Sequence, residues 1–172
     1  AGLHARTPAS GRLVARPSHE MVWGLFDLSS HQPGAAGEGR EYTSASQVTA
    51  AIRDGSLHPK AEATCPIEGR TVTTVAGRLL LSEIIPAEVT FELYDRQLNA
   101  SRLREILDEV ERRCGASRML SVAHELGRAG AERATVAGMS LAIGDLTSPS
   151  VKAQILAEAW ADADKVEEAF GS

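Results

Sequence analysis

Residues 61–86 read AEATCPIEGRTVTTVAGRLLLSEIIP. Ala61 to Ile67 and Thr71 to Val75 are short runs rich in Thr, Val and Ile, divided by Glu68-Gly69. β-Branched residues suit a pleated strand, and a Gly-containing pair suits a tight turn between two of them. Directly after this hairpin come Leu79, Leu80, Leu81, Ile84 and Ile85. They predict a buried helix that ends before Pro86, because proline disfavours the helical conformation in the residue ahead of it. Strands and helices thus alternate within one short stretch.

Towards the N-terminus, Gly2 to Gly11 reads as an extended lead-in and Arg12 to Ala15 as a short strand. Pro17 and Ser18 open a helix whose apolar face is Met21, Val22, Leu25, Phe26 and Leu28. Ser29 to Arg40, with Pro33 and glycines 34, 37 and 39, is a loop. Ser44 and Gln47 have the spacing of a capping box for a helix bearing Val48, Ala51 and Ile52, which Gly55 stops. Towards the C-terminus, Phe91, Leu93 and Tyr94 form a short extended piece. Asn99 or Ser101 caps a helix with Leu103, Ile106, Leu107 and Val110 on one face, ending at Gly115. A second helix runs from Ser117 to a close at Gly127–Gly130, and Thr135 to Asp145 holds a weak strand. Ser148-Pro149 opens a last helix with Val151, Ile155, Leu156, Ala159, Val166 and Phe170 on its apolar side. The fold class is α+β: short strands with several helices, a helical C-terminal part and a long final helix.

The 172 residues carry a net charge of −5, with 43% hydrophobic, 24% charged and only 4% aromatic residues. An acidic chain is a poor autonomous binder of nucleic acid, which calls for a basic surface. Two cysteines, Cys65 and Cys114, do not make a stapled secreted framework and read as reduced thiols of a cytoplasmic protein. No apolar run is long enough to cross a membrane, and the Arg-containing start lacks the apolar segment of a signal peptide. A first residue other than Met is expected of a fragment or a processed chain.

No catalytic set assembles from the residues. His124-Glu125 has half of a zinc-protease motif, but the position that would hold the second His is Arg128. The glycines at 34, 37 and 39 follow a helix rather than a strand, and no Lys-Ser/Thr completes a phosphate cradle. Ser18, His19 and Glu20 are adjacent, so on one helical turn they point in different directions and form no triad. Asn99-Ala100-Ser101 has the spacing of a glycosylation acceptor, but in a chain with no secretory signal it reads as a helix cap. The final helix carries Glu158, Asp162, Asp164, Glu167 and Glu168 against Lys152 and Lys165. That is either a solvated face or an acidic docking surface for a protein partner.

Several segments, in order, resemble the pore-and-funnel region of the beta-prime subunit of bacterial RNA polymerase. Thr7-Pro8-Ala9-Ser10-Gly11 and Pro17-Ser18-His19-Glu20-Met21-Val22-Trp23-Gly24-Leu25 are similar to its Ser-Pro-Ala-Asn-Gly and Pro-Ser-Gln-Asp runs. Gly37-Glu38-Gly39, Leu57-His58-Pro59-Lys60 and Thr74 to Pro86 follow with family-like spacing. Arg112-Arg113-Cys114-Gly115 and Ala134 to Leu146 complete the match. The resemblance implies a pore-like region over 1–98, a funnel-like helical region over 99–147 and a first rim-like helix over 148–172. It implies pore-lining roles for Arg78, Asp145 and His19, and partner-docking roles for Glu158, Asp162 and Glu167.

The implied activity belongs to an assembly: DNA-directed, magnesium-dependent nucleotidyl transfer with the beta, alpha and omega subunits. DNA and RNA would be met only through that assembly, and regulators of the secondary channel are possible partners. The region from Asn99 to Gly115 lies where the family approaches omega. The family's three-aspartate loop, which holds the catalytic magnesium, does not occur in this sequence. The chain alone is therefore expected to hold no cofactor and to be non-catalytic. Two family positions differ: His19 stands in place of Gln, and Gly144 in place of Asp. Those departures leave a rival expectation, a stand-alone, non-catalytic interaction module built on the pore fold.

Overall fold

The computed structural model describes residues 17–138 and 149–170. The chain divides into two compact units, residues 1–139 and 140–172. In the first, α1 (His19–Leu28) is followed by β1 (Arg40–Glu41), α2 (Ala45–Arg53), β2 (Glu62–Ile67), β3 (Arg70–Val75), α3 (Ala76–Leu81) and α4 (Ala100–Ala137). The second contains α5 (Lys152–Phe170). Short strands and five helices among the described residues make the α+β class, with a long helix at the C-terminal end.

The sheet has the order β1-β2-β3. β2 and β3 pair antiparallel, with Cys65 opposite Val72 and Ile67 opposite Arg70. The turn is tight because Glu68 and Gly69 both have positive φ, 52° and 78°. A left-handed glutamate is uncommon. Its carboxylate Oε1 accepts the Phe91 N–H at 2.9 Å, which ties the turn to the following segment. Two-residue β1, parallel to β2, emerges from the end of the expected loop. Its register is held outside the strand by the Gly39 N–H donating to the Glu62 carbonyl at 2.9 Å.

The packing of α1 on α4 rests on glycine. A Cβ on Gly24 would lie 1.9 Å from the Gly130 carbonyl oxygen, and one on Gly130 would lie 2.2 Å from that of Met21. The backbones are thus in direct contact, with Leu25 and Leu28 delivered into the core beside Met119, Val122 and Leu126. Gly77 does the same for α3, where a Cβ would meet the Leu28 carbonyl oxygen at 1.9 Å. The core is aliphatic apart from Phe91 and Tyr94, whose rings meet edge to face with centroids 5.0 Å apart.

Several expectations need correction. Phe91–Leu93 is a 3-10 turn rather than an extended piece, because it must fold back to place Phe91 in the core. The helix at Leu79–Ile85 starts earlier, at Ala76, and after Leu81 continues as turns, with Ser82, Glu83 and Ile84 N–H groups bonded three residues back. The helix expected to close at Gly127–Gly130 runs on to Ala137 and ends at left-handed Gly138, since those inner glycines serve packing, not termination. Gly115 does interrupt the helix, with φ 84° and ψ 166°. The strand at Arg12–Ala15 lies outside the described residues. Of Thr135–Asp145, the first three residues are helical, Gly138 is the left-handed cap, and those from 139 on lie outside the described residues.

Candidate functional site

Arg78 sits on α3 and is 19% exposed. Its Nε donates to the Ser29 carbonyl at 2.9 Å and its Nη1 to Asp95 Oδ1 at 3.4 Å. Thr74 Oγ1 donates to the same Asp95 oxygen. Ser29, fully buried at the end of α1, is the centre of this network. Its hydroxyl donates to the Leu25 carbonyl at 2.7 Å and accepts the Leu98 N–H at 2.8 Å. One serine thereby joins α1, α3 and the approach to α4. Arg78 braces these elements.

His19 is exposed at the first turn of α1. Arg78 bonds the residue that caps the other end of the same helix. Ten residues at about 1.5 Å each place the two ends roughly 15 Å apart, so they do not share one small site. Asp145, the third pore candidate, lies outside the described residues.

The three docking candidates are all on α5. At about 100° per residue, Glu158 and Asp162 stand roughly 40° apart, while Glu167 is about 140–180° from them. Glu158 Oε1 accepts from Gln154 Nε2 at 2.9 Å, and Asp162 Oδ1 from Lys165 Nζ at 2.9 Å. Glu158 and Asp162 form one acidic edge; Glu167 belongs to another.

The most developed charged cluster was not singled out by the sequence. Asp27 of α1 is 14% exposed. Its Oδ1 accepts from Lys60 Nζ at 2.9 Å, and its Oδ2 from Arg133 Nε at 2.6 Å. Burial alone would raise the Asp27 pKa, but the bonds from Lys60 and Arg133 outweigh it and hold the carboxyl below its ordinary value. The partners lie 33 and 106 residues away, beyond any local motif. The available signal was a carboxylate amid an apolar run, Leu25-Phe26-Asp27-Leu28, which burial forces to find a cation.

A second cluster brings His31, Glu38 and Glu62 together, with potential ligand atoms within 4.8 Å of one another. His31 Nε2 and Glu38 Oε1 are 2.9 Å apart, and Glu38 Oε2 accepts the Gly34 N–H. These exposed groups brace the glycine loop. They are not the three-aspartate set that a polymerase magnesium centre needs, and no step of that chemistry is assigned to them. Glu125 of the His124–Glu125 pair lies 3.7 Å from Arg118, and Arg128, at the position where the motif would need its second His, lies 3.7 Å from Glu132.

This α+β architecture coincides with a match, over residues 4–146, to the family described as RNA polymerase Rpb1, domain 3. The chain belongs to that family. Bacterial proteins are among its relatives: it is 33% identical to the DNA-directed RNA polymerase subunit beta' of Pelotomaculum thermopropionicum, over 95% of this chain and 14% of that protein. Against the same subunit of Campylobacter lari it is 32% identical, over 95% of the chain and 11% of the relative. For Bdellovibrio bacteriovorus the identity is 29%, over 95% and 12%. The chain corresponds to a beta-prime segment and spans only about a tenth to a seventh of these relatives' length.

Proposed function

We propose that this chain serves as a wall of the nucleotide entry pore, and as the start of a regulator-docking rim, in a bacterial RNA polymerase. The family match across residues 4–146 carries the proposal. The activity is that of the assembly with beta, alpha and omega subunits in the cytoplasm: DNA-directed, magnesium-dependent RNA synthesis. Magnesium would be held elsewhere in the assembly, because the family's aspartate loop does not occur in this sequence. DNA and RNA are met through the assembly. No described helix is long and apolar enough to cross a membrane, which is compatible with this setting.

In this reading Arg78 acts behind the pore wall. It holds Ser29 and Asp95 in place, and so fixes the wall's shape rather than presenting a free guanidinium to nucleotides. His19, exposed, is the candidate able to meet solvent in the pore. Glu158 and Asp162 supply the acidic edge for a secondary-channel regulator.

The test replaces the corresponding segment of a beta-prime subunit by this chain and reconstitutes the enzyme with beta, alpha and omega. The expected result is a magnesium-dependent polymerase, while the chain alone makes no RNA. Failure of the folded chain to enter the assembly would overturn the proposal. If the isolated chain instead bound a regulator in the absence of polymerase subunits, the stand-alone module would be the better account.

A further inference from the structure

Between α2, the region after α3 and the second half of α4 lies an open cleft of about 560 Å³. Sites for small organic molecules commonly span roughly 300–1,000 Å³. Its lining is largely aliphatic: Ile52 from α2, Leu57 from the following loop, Leu80 and Ile84, and Ala129 from α4. Leu57 is fully buried, whereas Ile52, Leu80 and Ile84 are only partly covered by the core.

Two polar groups in this lining retain bonding capacity. Thr49 is 4% exposed, lines the cleft, and has a hydroxyl with no hydrogen-bond partner among the described residues. A helical threonine ordinarily settles its hydroxyl on a carbonyl one turn back, and a buried polar group without a partner is unfavourable. His58 lines the same cleft. Its Nδ1 accepts the Lys60 N–H at 3.2 Å, which assigns the proton of the neutral ring to Nε2. Burial, then the charges of Arg133 and Lys60, lowers the pKa of this ring and favours its neutral form.

The charges around the opening nearly cancel. Arg128 is 3.7 Å from Glu132, Glu125 is 3.7 Å from Arg118, and Arg133 shares the Asp27 carboxylate with Lys60, which leaves one positive charge beside the opening. Arg53 and Glu83 add one charge of each sign. Such a rim offers no strong net field to draw in an ion. We propose that this cleft binds a small uncharged organic molecule. Its apolar body rests on Ile52, Leu57, Leu80 and Ile84, and its carbonyl-type acceptor takes the Thr49 hydroxyl proton. The Nε2–H of His58 is a second donor in the same lining. The site is distinct from the Arg78 network and from the acidic edge of α5, and does not depend on the pore reading.

The experiment titrates the full chain with a neutral propionyl-dimethylaminonaphthalene dye, an apolar ketone whose emission reports polarity and hydrogen bonding. One-to-one saturable binding with blue-shifted emission is expected. Thr49→Val keeps the side-chain shape and removes only the hydroxyl, so it should weaken dye binding about fivefold while leaving the melting temperature unchanged or higher. Ala129→Phe fills the cleft from α4 and should abolish binding. If that variant does not fold, Ile84→Asn, at a partly buried position, takes its place. Absence of saturable binding, or full affinity in Thr49→Val or in the folded cleft variant, overturns the proposal. Tighter binding of the anionic dye anilinonaphthalenesulfonate than of the ketone also overturns it.

Discussion

At the scale of single residues, the polar groups that matter are those the core has enclosed. Ser29 is the clearest case, because its hydroxyl both donates to Leu25 and accepts from Leu98. Ser29→Ala leaves the Leu98 N–H without its acceptor in a region where Leu98 is 1% exposed. A loss of about 1–3 kcal/mol is expected, read from the urea midpoint. Asp27 gives a pH-dependent counterpart. Its pKa is depressed in the folded chain, so its contribution is fully present above the ordinary value of 3.8 and is lost as pH falls below it. Stability measured from neutral pH downwards should therefore decline in that acid window. Asp27→Asn should remove this component of the decline and cost about 2–4 kcal/mol at neutral pH, because it leaves Lys60 and Arg133 as partly buried neighbours without their carboxylate. A pH profile of the variant parallel to the parent's would refute this role.

At the scale of elements, the sequence made the hairpin, the caps and the apolar faces legible because each is a local pattern. Ser44 does cap α2, accepting the Gln47 N–H at 3.3 Å, and Gly115 does break the helix where expected. Gly127 and Gly130 misled because a glycine has two meanings in a helical run: a stop, or a place where another backbone comes close. Only the tertiary partner α1 distinguishes them. The two glycines should also respond differently to substitution. Gly127→Ala brings a Cβ within 3.3 Å of the flexible Met21 sulfur, which can give way, so the gain in helix propensity of up to about 1 kcal/mol should survive. Gly130→Ala drives the same methyl towards the Met21 carbonyl and should cost about 3 kcal/mol or more despite better propensity. Thermal melts of the pair, equal in sign, would show that α1 does not cross α4 at this point.

At the scale of the whole molecule, membership of the family was readable from ordered short motifs, whereas the long-range groups were not. Arg78 was singled out as a pore residue, yet its bonds to Ser29 and Asp95 depend on contacts 49 and 17 residues away. The Asp27 cluster and the Thr49 cleft likewise exist only once α1, α2 and α4 are packed. For α5 the sequence named three acids, and helical geometry now separates them into two edges. That separation makes the docking reading testable. Glu167 lies in the last turn of α5 beside Glu168, and that turn carries no basic residue. Negative charge there opposes the helix dipole, so Glu167→Lys together with Glu168→Lys should raise the helicity of a peptide of residues 149–170, by about 0.3–1 kcal/mol per site. Circular dichroism measures it; a single helix of this length is marginal in water and therefore sensitive to such a change. Glu158→Lys with Asp162→Lys alters the other edge. In the reconstituted polymerase, a regulator that docks on the Glu158–Asp162 edge should lose its effect in this second pair and keep it in the first. Loss in both would mean that docking follows the overall charge of α5 rather than one of its edges. Loss only in the Glu167 pair, whose helix has become more stable, would move the docking surface to the opposite side of the helix.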